Sequence, residues 1–273
     1  MRRVVFNQKG GVGKSTITCN LAAVSAQQGL RTLVLDLDVQ GNSTRYLLGE
    51  GAESVDGGTV ADFFQQTLGF SFNPKQAGEF IYETPFERLH LMPSSPALDE
   101  LHGKLESRYK IYKLREALES LSKDYDAIWI DTPPALNFYT RSALIAAERC
   151  LIPFDCDAFS RSALYSLLES VQEVKEDHNP ELAVEGIVVN QYQARANLPK
   201  QLVEELVAEG HPVLEPFLRS SVKVRESHQA GRPLVHLAPG HKLTLEFQAL
   251  HARLQKAPAR TRPPRKRKTS VGK

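Results

Sequence analysis

The chain has 273 residues, 41% hydrophobic and 24% charged, which suits a globular protein with a sizeable core, built as one large α/β domain or two small ones. Collagen-like, low-complexity and disulfide-rich classes are excluded: the three cysteines, Cys19, Cys150 and Cys156, lie in apolar surroundings without metal-ligand spacing and read as reduced core residues of a cytosolic protein. No apolar run reaches the length of a membrane span, and the formal net charge is a modest +2.

In chain order, Met1-Arg2-Arg3 leads at once into a strand-like run over 3–7, without the apolar segment of a signal peptide. A helix is expected over 14–28, closed by Gly29 as its C-cap, and a strand over 32–36. Residues 49–86 are Gly-rich and weakly patterned, an irregular insertion with a short helix near 60–66. Strands follow at 89–93, 127–131, 150–154 and 185–190, and helices at 95–107, 112–122, 161–177, 199–209 and 243–256. Most of the strands are apolar throughout, as strands buried on both faces of a parallel sheet should be. The alternation predicts a doubly wound α/β fold, a mostly parallel sheet with helices on both faces, filling residues 1–256 as one domain. The last helix carries Leu243, Phe247, Leu250 and Leu254 on one stripe, expected to pack on the domain. From Lys256 onward there are eight Lys or Arg and no Asp or Glu, with Pro258, Pro263 and Pro264 interspersed. Residues 257–273 therefore read as a disordered basic tail, which either holds a polyanion or only aids solubility.

The most specific stretch is Lys9-Gly10-Gly11-Val12-Gly13-Lys14-Ser15, followed by Thr16. It satisfies the end of the phosphate-loop pattern G-x-x-x-x-G-K-[ST], but Gln8 holds the place of the first glycine. In exchange a second lysine, Lys9, stands five residues before the usual one. The preceding strand and following helix are the right context, because glycines admit backbone N–H groups to phosphates and the helix N-terminus adds partial positive charge. Lys14 would reach the β- and γ-phosphates and the Ser15 hydroxyl would ligate Mg²⁺. Two apolar strands end in acid, at Asp36-Leu37-Asp38 and at Asp131-Thr132-Pro133-Pro134. Such aspartates hold metal-bound water in Mg²⁺–nucleotide sites. Asp36 and Asp131 read as the Mg²⁺ shell. Asp38 reads as the residue that polarises the attacking water, itself close enough to share the metal.

These residues resemble the ParA/MinD family of deviant Walker-type ATPases, its ParA branch most closely. The resemblance covers most of residues 2–235. It rests on Asn7–Thr16, on Asp36-Leu37-Asp38-Val39-Gln40-Gly41-Asn42-Ser43, on Ile130–Pro134, on Val189–Leu198, and on the blocks Ser221–Ser227 and Gly231–Leu234. It implies ATP and Mg²⁺ as cofactors, slow hydrolysis until a ParB-like or other partner stimulates it, and an ATP-bound homodimer. Within that dimer Lys9 would cross to the partner's phosphates, making hydrolysis depend on dimerisation. The resemblance also implies base contacts in the late core, for which Asn190 and Phe217 are the candidates. It implies nonspecific duplex DNA binding through the C-terminal region, with Lys223, Arg225, Arg232 and Lys242 as candidates and a cytoplasmic, nucleoid-associated location. Val39 stands where Pro is usual, and Phe154-Asp155-Cys156-Asp157 departs from the commonest chromosomal pattern, which leaves the cargo open.

Other readings stand beside it. A MinD-like membrane-cycling ATPase needs a terminal amphipathic basic helix, whereas this terminus carries prolines and few apolar residues, so no membrane partner is expected. A bacterial tyrosine kinase has a terminal tyrosine cluster, and no tyrosine follows Tyr192. Cys150 and Cys156 match poorly the cluster cysteines of a nitrogenase-type iron protein. No helix-turn-helix segment precedes the loop, which argues against specific operator binding. A regulatory ATP-dependent switch with negligible turnover stays open.

Overall fold

The computed structural model describes residues 1–53, 55, 58–70, 72–156 and 160–256; the basic tail expected over 257–273, and Asp157, lie outside the described residues. The elements in chain order are β1 (Arg2–Val5), α1 (Lys14–Gln27), β2 (Thr32–Asp36), α2 (Asn42–Leu48), α3 (Val60–Thr67), β3 (Tyr82–Glu83), β4 (Leu89–Met92), α4 (Leu98–Ser107), α5 (Lys113–Leu121), β5 (Ala127–Asp131), α6 (Phe138–Ala146), β6 (Arg149–Asp155), α7 (Ser160–Asp177), β7 (Ala183–Asn190), α8 (Asn197–Ala208), β8 (Val213–Leu214), α9 (Lys223–Gln229), α10 (Leu234–Leu237) and α11 (Lys242–Lys256). The strands form one sheet in the order β3-β4-β2-β5-β1-β6-β7-β8, parallel except for the β3–β4 pair at one edge.

Period-two alternation builds the two layers. Along β5, Ile128 and Ile130 face one core and Trp129 the other; β1 divides Val4 from Val5, and β6 divides Cys150 and Ile152 from Leu151 in the same way. The first core is closed by α3 to α8, the second by α1, α2, α10 and α11. Because both faces are covered, the central strands are apolar over most of their length, with polar residues at their ends. The α11 stripe of Leu243, Phe247, Leu250 and Leu254 is buried as expected, each side chain contributing roughly 1.5–3 kcal/mol of gross burial. Below it, Arg3 of β1 is buried and forms a bidentate pair with Glu185 of β7, Nε to Oε2 at 2.7 Å and Nη2 to Oε1 at 3.0 Å. Its Nη2 also donates to the Leu254 carbonyl at 3.2 Å, tying α11 to the sheet.

Several boundaries differ from expectation. The first strand ends at Val5 rather than residue 7, because Asn7 is recruited to the loop that follows. The helix expected from residue 95 begins at Leu98, after a turn closed by Leu98 N–H to Ser95 O at 3.1 Å. The segment 49–86 is more ordered than its glycine content suggests: α3 carries a Thr59–Asp62 capping box, 3-10 turns span Gly49–Glu53 and Ala77–Phe80, and β3 pairs with β4. Gly29 closes α1 as expected, with φ +88° and its N–H on the Ala26 carbonyl at 2.9 Å.

Candidate functional site

The ends of β1, β2 and β5 meet at one edge of the sheet, where ligands bind in doubly wound folds. The loop after β1 is shaped by a side chain on either flank. Asn7 donates from Nδ2 to the Pro153 carbonyl at 2.7 Å and accepts the Lys9 N–H at 2.8 Å, which turns the chain after Phe6. Asn190, the last residue of β7, donates from Nδ2 to the Val12 carbonyl at 2.9 Å, and Gln191 reaches the Gly11 carbonyl at 3.2 Å. Gly13 caps α1 at φ +90°, and a Cβ there would lie 2.3 Å from Asn190 Nδ2. Only glycine satisfies both demands at that position. Lys14 is buried, and its Nζ donates to the Lys9 carbonyl at 2.9 Å. Burial lowers its ammonium, and Asp131 and Asp38 oppose that shift.

The three aspartates arrive together. Asp36 and Asp131 are register partners on adjacent parallel strands, and both are fully buried. Asp36 accepts the Thr44 N–H and hydroxyl, both at 2.8 Å, and the Asp38 N–H at 3.2 Å. Asp131 accepts the Ser43 hydroxyl at 2.7 Å on Oδ2, while its Oδ1 is buried without a hydrogen-bond partner. Burial raises the pKa of both groups; the Asp131 charge raises Asp36 further, and the Ser15 and Ser43 hydroxyls draw Asp131 back. Asp38, also buried, accepts the Gln40 N–H at 3.1 Å, and its backbone carbonyl is held by Ser94. Among the described residues no group of three or more His, Cys, Asp or Glu converges as a ready-made metal cage. The donor set is instead two buried carboxylates, one with an orphaned oxygen, beside hydroxyls and one lysine. That fits a hard divalent cation carrying its own water and phosphate ligands.

Ser15 and Thr16 begin α1 at this edge. Thr16, Gly11, Gly13, Asn190 and Gln191 line a cavity of about 290 Å³, walled by Arg219, Val224 and Phe247. Asn190, a candidate base contact, is on this cavity's wall. Phe217 is not: its ring packs edge to face on Tyr192 at 4.9 Å and lines a separate cavity against α11, because Leu218, not Phe217, pairs back to β7 through Val189. The four basic candidates do not form one cluster. Arg225 lies on the rim of the 290 Å³ cavity, and Lys223 pairs with Glu226 at 2.5 Å. Arg232 lines a different cavity beside Gly49, and Lys242 opens α11, exposed.

Sequence reading missed Thr44, Ser94 and His228, and gave Asn7, Ser43 and Gln191 no role of their own. Ser43 and Thr44 follow Gly41-Asn42, and a helix N-terminus just beyond an acidic strand end was the available signal for them. His228 had no local signal, since its partner Thr16 is 212 residues away.

Residues 3–184 match the AAA domain family AAA_31. The chromosome partitioning protein ParA of Myxococcus xanthus is 34% identical over 235 residues, 85% of this chain and 79% of that protein. The sporulation initiation inhibitor protein Soj of Bacillus subtilis is 32% identical over 237 residues, 86% of this chain and 90% of that protein. Among solved structures, cobyrinic acid a,c-diamide synthase from Mycobacterium smegmatis with bound ADP and magnesium superposes with a TM-score of 0.78. It does so at 24% identity, over 93% of this chain and 94% of that one, a likeness of fold.

Proposed function

Because the chain belongs to the ParA/MinD family of ATPases, we propose that it is a Mg-ATP-dependent, dimerising ATPase whose ATP state binds duplex DNA without sequence preference and positions DNA or another cargo. The observation that carries the reading is the convergence of Lys14, Asp36, Asp38 and Asp131 at one sheet edge behind a glycine loop that also presents Lys9. The ADP and magnesium held by a protein of the same fold support ATP and Mg²⁺ here.

When bound, Mg-ATP supplies the transferable phosphoryl group and the cation that offsets its charge. The chain's own residues do the rest. The loop N–H groups from Gly10 to Thr16 and the α1 N-terminus bind phosphate oxygens. Lys14, whose Nζ here donates to the Lys9 carbonyl, would instead donate to the β- and γ-phosphates. Ser15, Asp36 and Asp131 would hold the cation, directly or through water, with Asp36 and Asp131 fixed by Thr44 and Ser43. Asp38 would orient the attacking water and accept its proton. Lys9 extends the cradle toward a second subunit, so that charge stabilisation arrives in trans. Lys223, Arg225, Arg232 and Lys242 supply phosphate contacts from the C-terminal region, and a ParB-like or other partner stimulates turnover.

A membrane-cycling alternative needs an amphipathic helix with an unpartnered apolar face. The α11 stripe is spent inside the domain, and among the described residues no helix is long and apolar enough to cross a membrane. Co-sedimentation with and without Mg-ATP, on duplex DNA and on anionic liposomes, separates the readings. ATP-dependent, salt-sensitive pelleting with DNA is expected; ATP-dependent pelleting with liposomes alone would replace this reading by the membrane one.

A further inference from the structure

The nucleotide edge is wired to the C-terminal basic segment through one histidine. His228 lies on α9, the helix that carries Lys223 and Arg225, and its Nε2 is 2.9 Å from the Thr16 hydroxyl in the first turn of α1. Its ring stacks on Tyr46 of α2, with centroids 3.9 Å apart and planes 17° from parallel. The Tyr46 hydroxyl is 2.8 Å from the hydroxyl of Ser227, the neighbour of His228, and accepts from Asn20 Nδ2 at 3.1 Å. Asn20 returns to α1 through the Thr16 carbonyl at 2.8 Å and holds the start of α10 through the Leu234 N–H at 2.9 Å. Thr16, Asn20, Tyr46, Ser227 and His228 thus form one connected array across α1, α2 and α9, with Tyr46 and Ser227 fully buried.

We infer that His228 is a positioning residue that couples nucleotide at Thr16 to the orientation of α9, and so to the DNA affinity of Lys223 and Arg225; the inference rests on the DNA-binding reading above. The chemistry follows from the donor inventory of the pair. A threonine hydroxyl has one proton. While it faces only His228, either group can be the donor, and both histidine tautomers serve. A phosphate oxygen at Thr16 is purely an acceptor, so it takes the Thr16 proton. The hydroxyl can then only accept from His228, which must carry its proton on Nε2. Phosphate occupancy therefore selects one arrangement of the pair and fixes the ring that abuts α9. Because the ring is clamped against Tyr46, and Tyr46 is bonded back to Ser227, the constraint passes to the helix backbone. A two-state element biased by both sites is the physical requirement for such coupling.

The stack and the hydrogen bond can be separated. His228→Phe keeps a ring against Tyr46 but removes the donor, and His228→Gln keeps an N–H donor without the ring. The experiment measures DNA affinity of the full chain by fluorescence anisotropy with Mg-ATP and without nucleotide, alongside ATP affinity. In wild type the ATP state binds DNA more tightly. His228→Phe should bind ATP within a fewfold of wild type but lose about tenfold of the ratio between the ATP and nucleotide-free states, and His228→Gln, with the donor but not the clamped ring, should recover part of it. An unchanged ratio in His228→Phe overturns the coupling while leaving the DNA reading intact. No ATP dependence in wild type overturns the DNA reading itself, and the coupling with it. A second readout needs no variant: ¹⁵N spectra of the His228 ring should collapse to the Nε2-protonated tautomer when ADP is added. A ring spectrum indifferent to nucleotide overturns the inference.

Discussion

His251 should make the fold sensitive to acid, and the size of the effect can be worked out. It lies on α11 with no exposed surface, its Nε2 2.8 Å from the Ser25 hydroxyl of α1. Ser25 donates its own proton to the Leu21 carbonyl at 2.8 Å and accepts the Trp129 indole N–H at 3.1 Å. It therefore accepts from His251, which leaves His251 Nδ1 buried and unpartnered. Burial, and then the Arg3 guanidinium from β1, lower its pKa from 6.5 to about 4. Between those values the unfolded chain binds the proton and the folded chain does not, so stability falls as pH drops through 6.5 and levels off below 4. At pH 5 this one group costs about 2 kcal/mol relative to pH 7.5, or roughly 5 °C in Tm for a domain of this size. His251→Leu removes the titration and the bond to Ser25, costing about 1 kcal/mol at pH 7.5. Thermal melts of the two proteins at pH 7.5 and pH 5 should therefore cross, the variant being less stable at the higher pH and more stable at the lower. Curves that stay parallel down to pH 5 would refute the assignment of a neutral, buried His251.

Three further outcomes are expected at the site. Gly13→Ala forces an alanine to φ +90° and a Cβ onto Asn190 Nδ2, breaking the bond to Val12; about 2–4 kcal/mol of stability should be lost in urea titrations, and Asn190→Ala should be less harmful in that background than alone. Ser43→Ala strips the hydroxyl from the buried Asp131 carboxylate and should cost about 1–3 kcal/mol by the same measurement. Asp38→Ala should keep ATP binding and lose on the order of 10²-fold or more in hydrolysis; turnover that persists would reassign the water-polarising role.

The strands and the phosphate loop were legible because their causes are local. Val4-Val5-Phe6 and Ala127–Asp131 are apolar runs ending at polar residues, and Gly13 announces a backbone that other residues avoid. What was not legible depends on contacts distant in sequence. Helices α2, α6 and α9 are short, and they are held by contacts outside themselves: α2 by Asp36 and by Asn20 and Ser227 on the Tyr46 hydroxyl, α6 by the Asn137 cap and the Phe64–Phe138 contact, α9 by Thr16. Phe217 was misplaced because a shift of one residue along an irregular segment turns a side chain to the opposite side of the chain. The aspartates were found, but of the residues that orient them Ser43 and Thr44 carried only the weak signal of a helix start after an acidic strand end, and Ser94 carried none apart from the fold.

Whether Lys9 of one subunit completes the site of another is read out by mixing two inactive variants. A Lys9→Ala subunit keeps Asp38 and lacks the lysine it would lend; an Asp38→Ala subunit can still lend its lysine. In an equimolar mixture half the dimers are mixed, and each has one complete site, so hydrolysis should recover to about a quarter of the wild-type rate per subunit. A mixture as inactive as either variant alone would contradict a lysine that acts in trans.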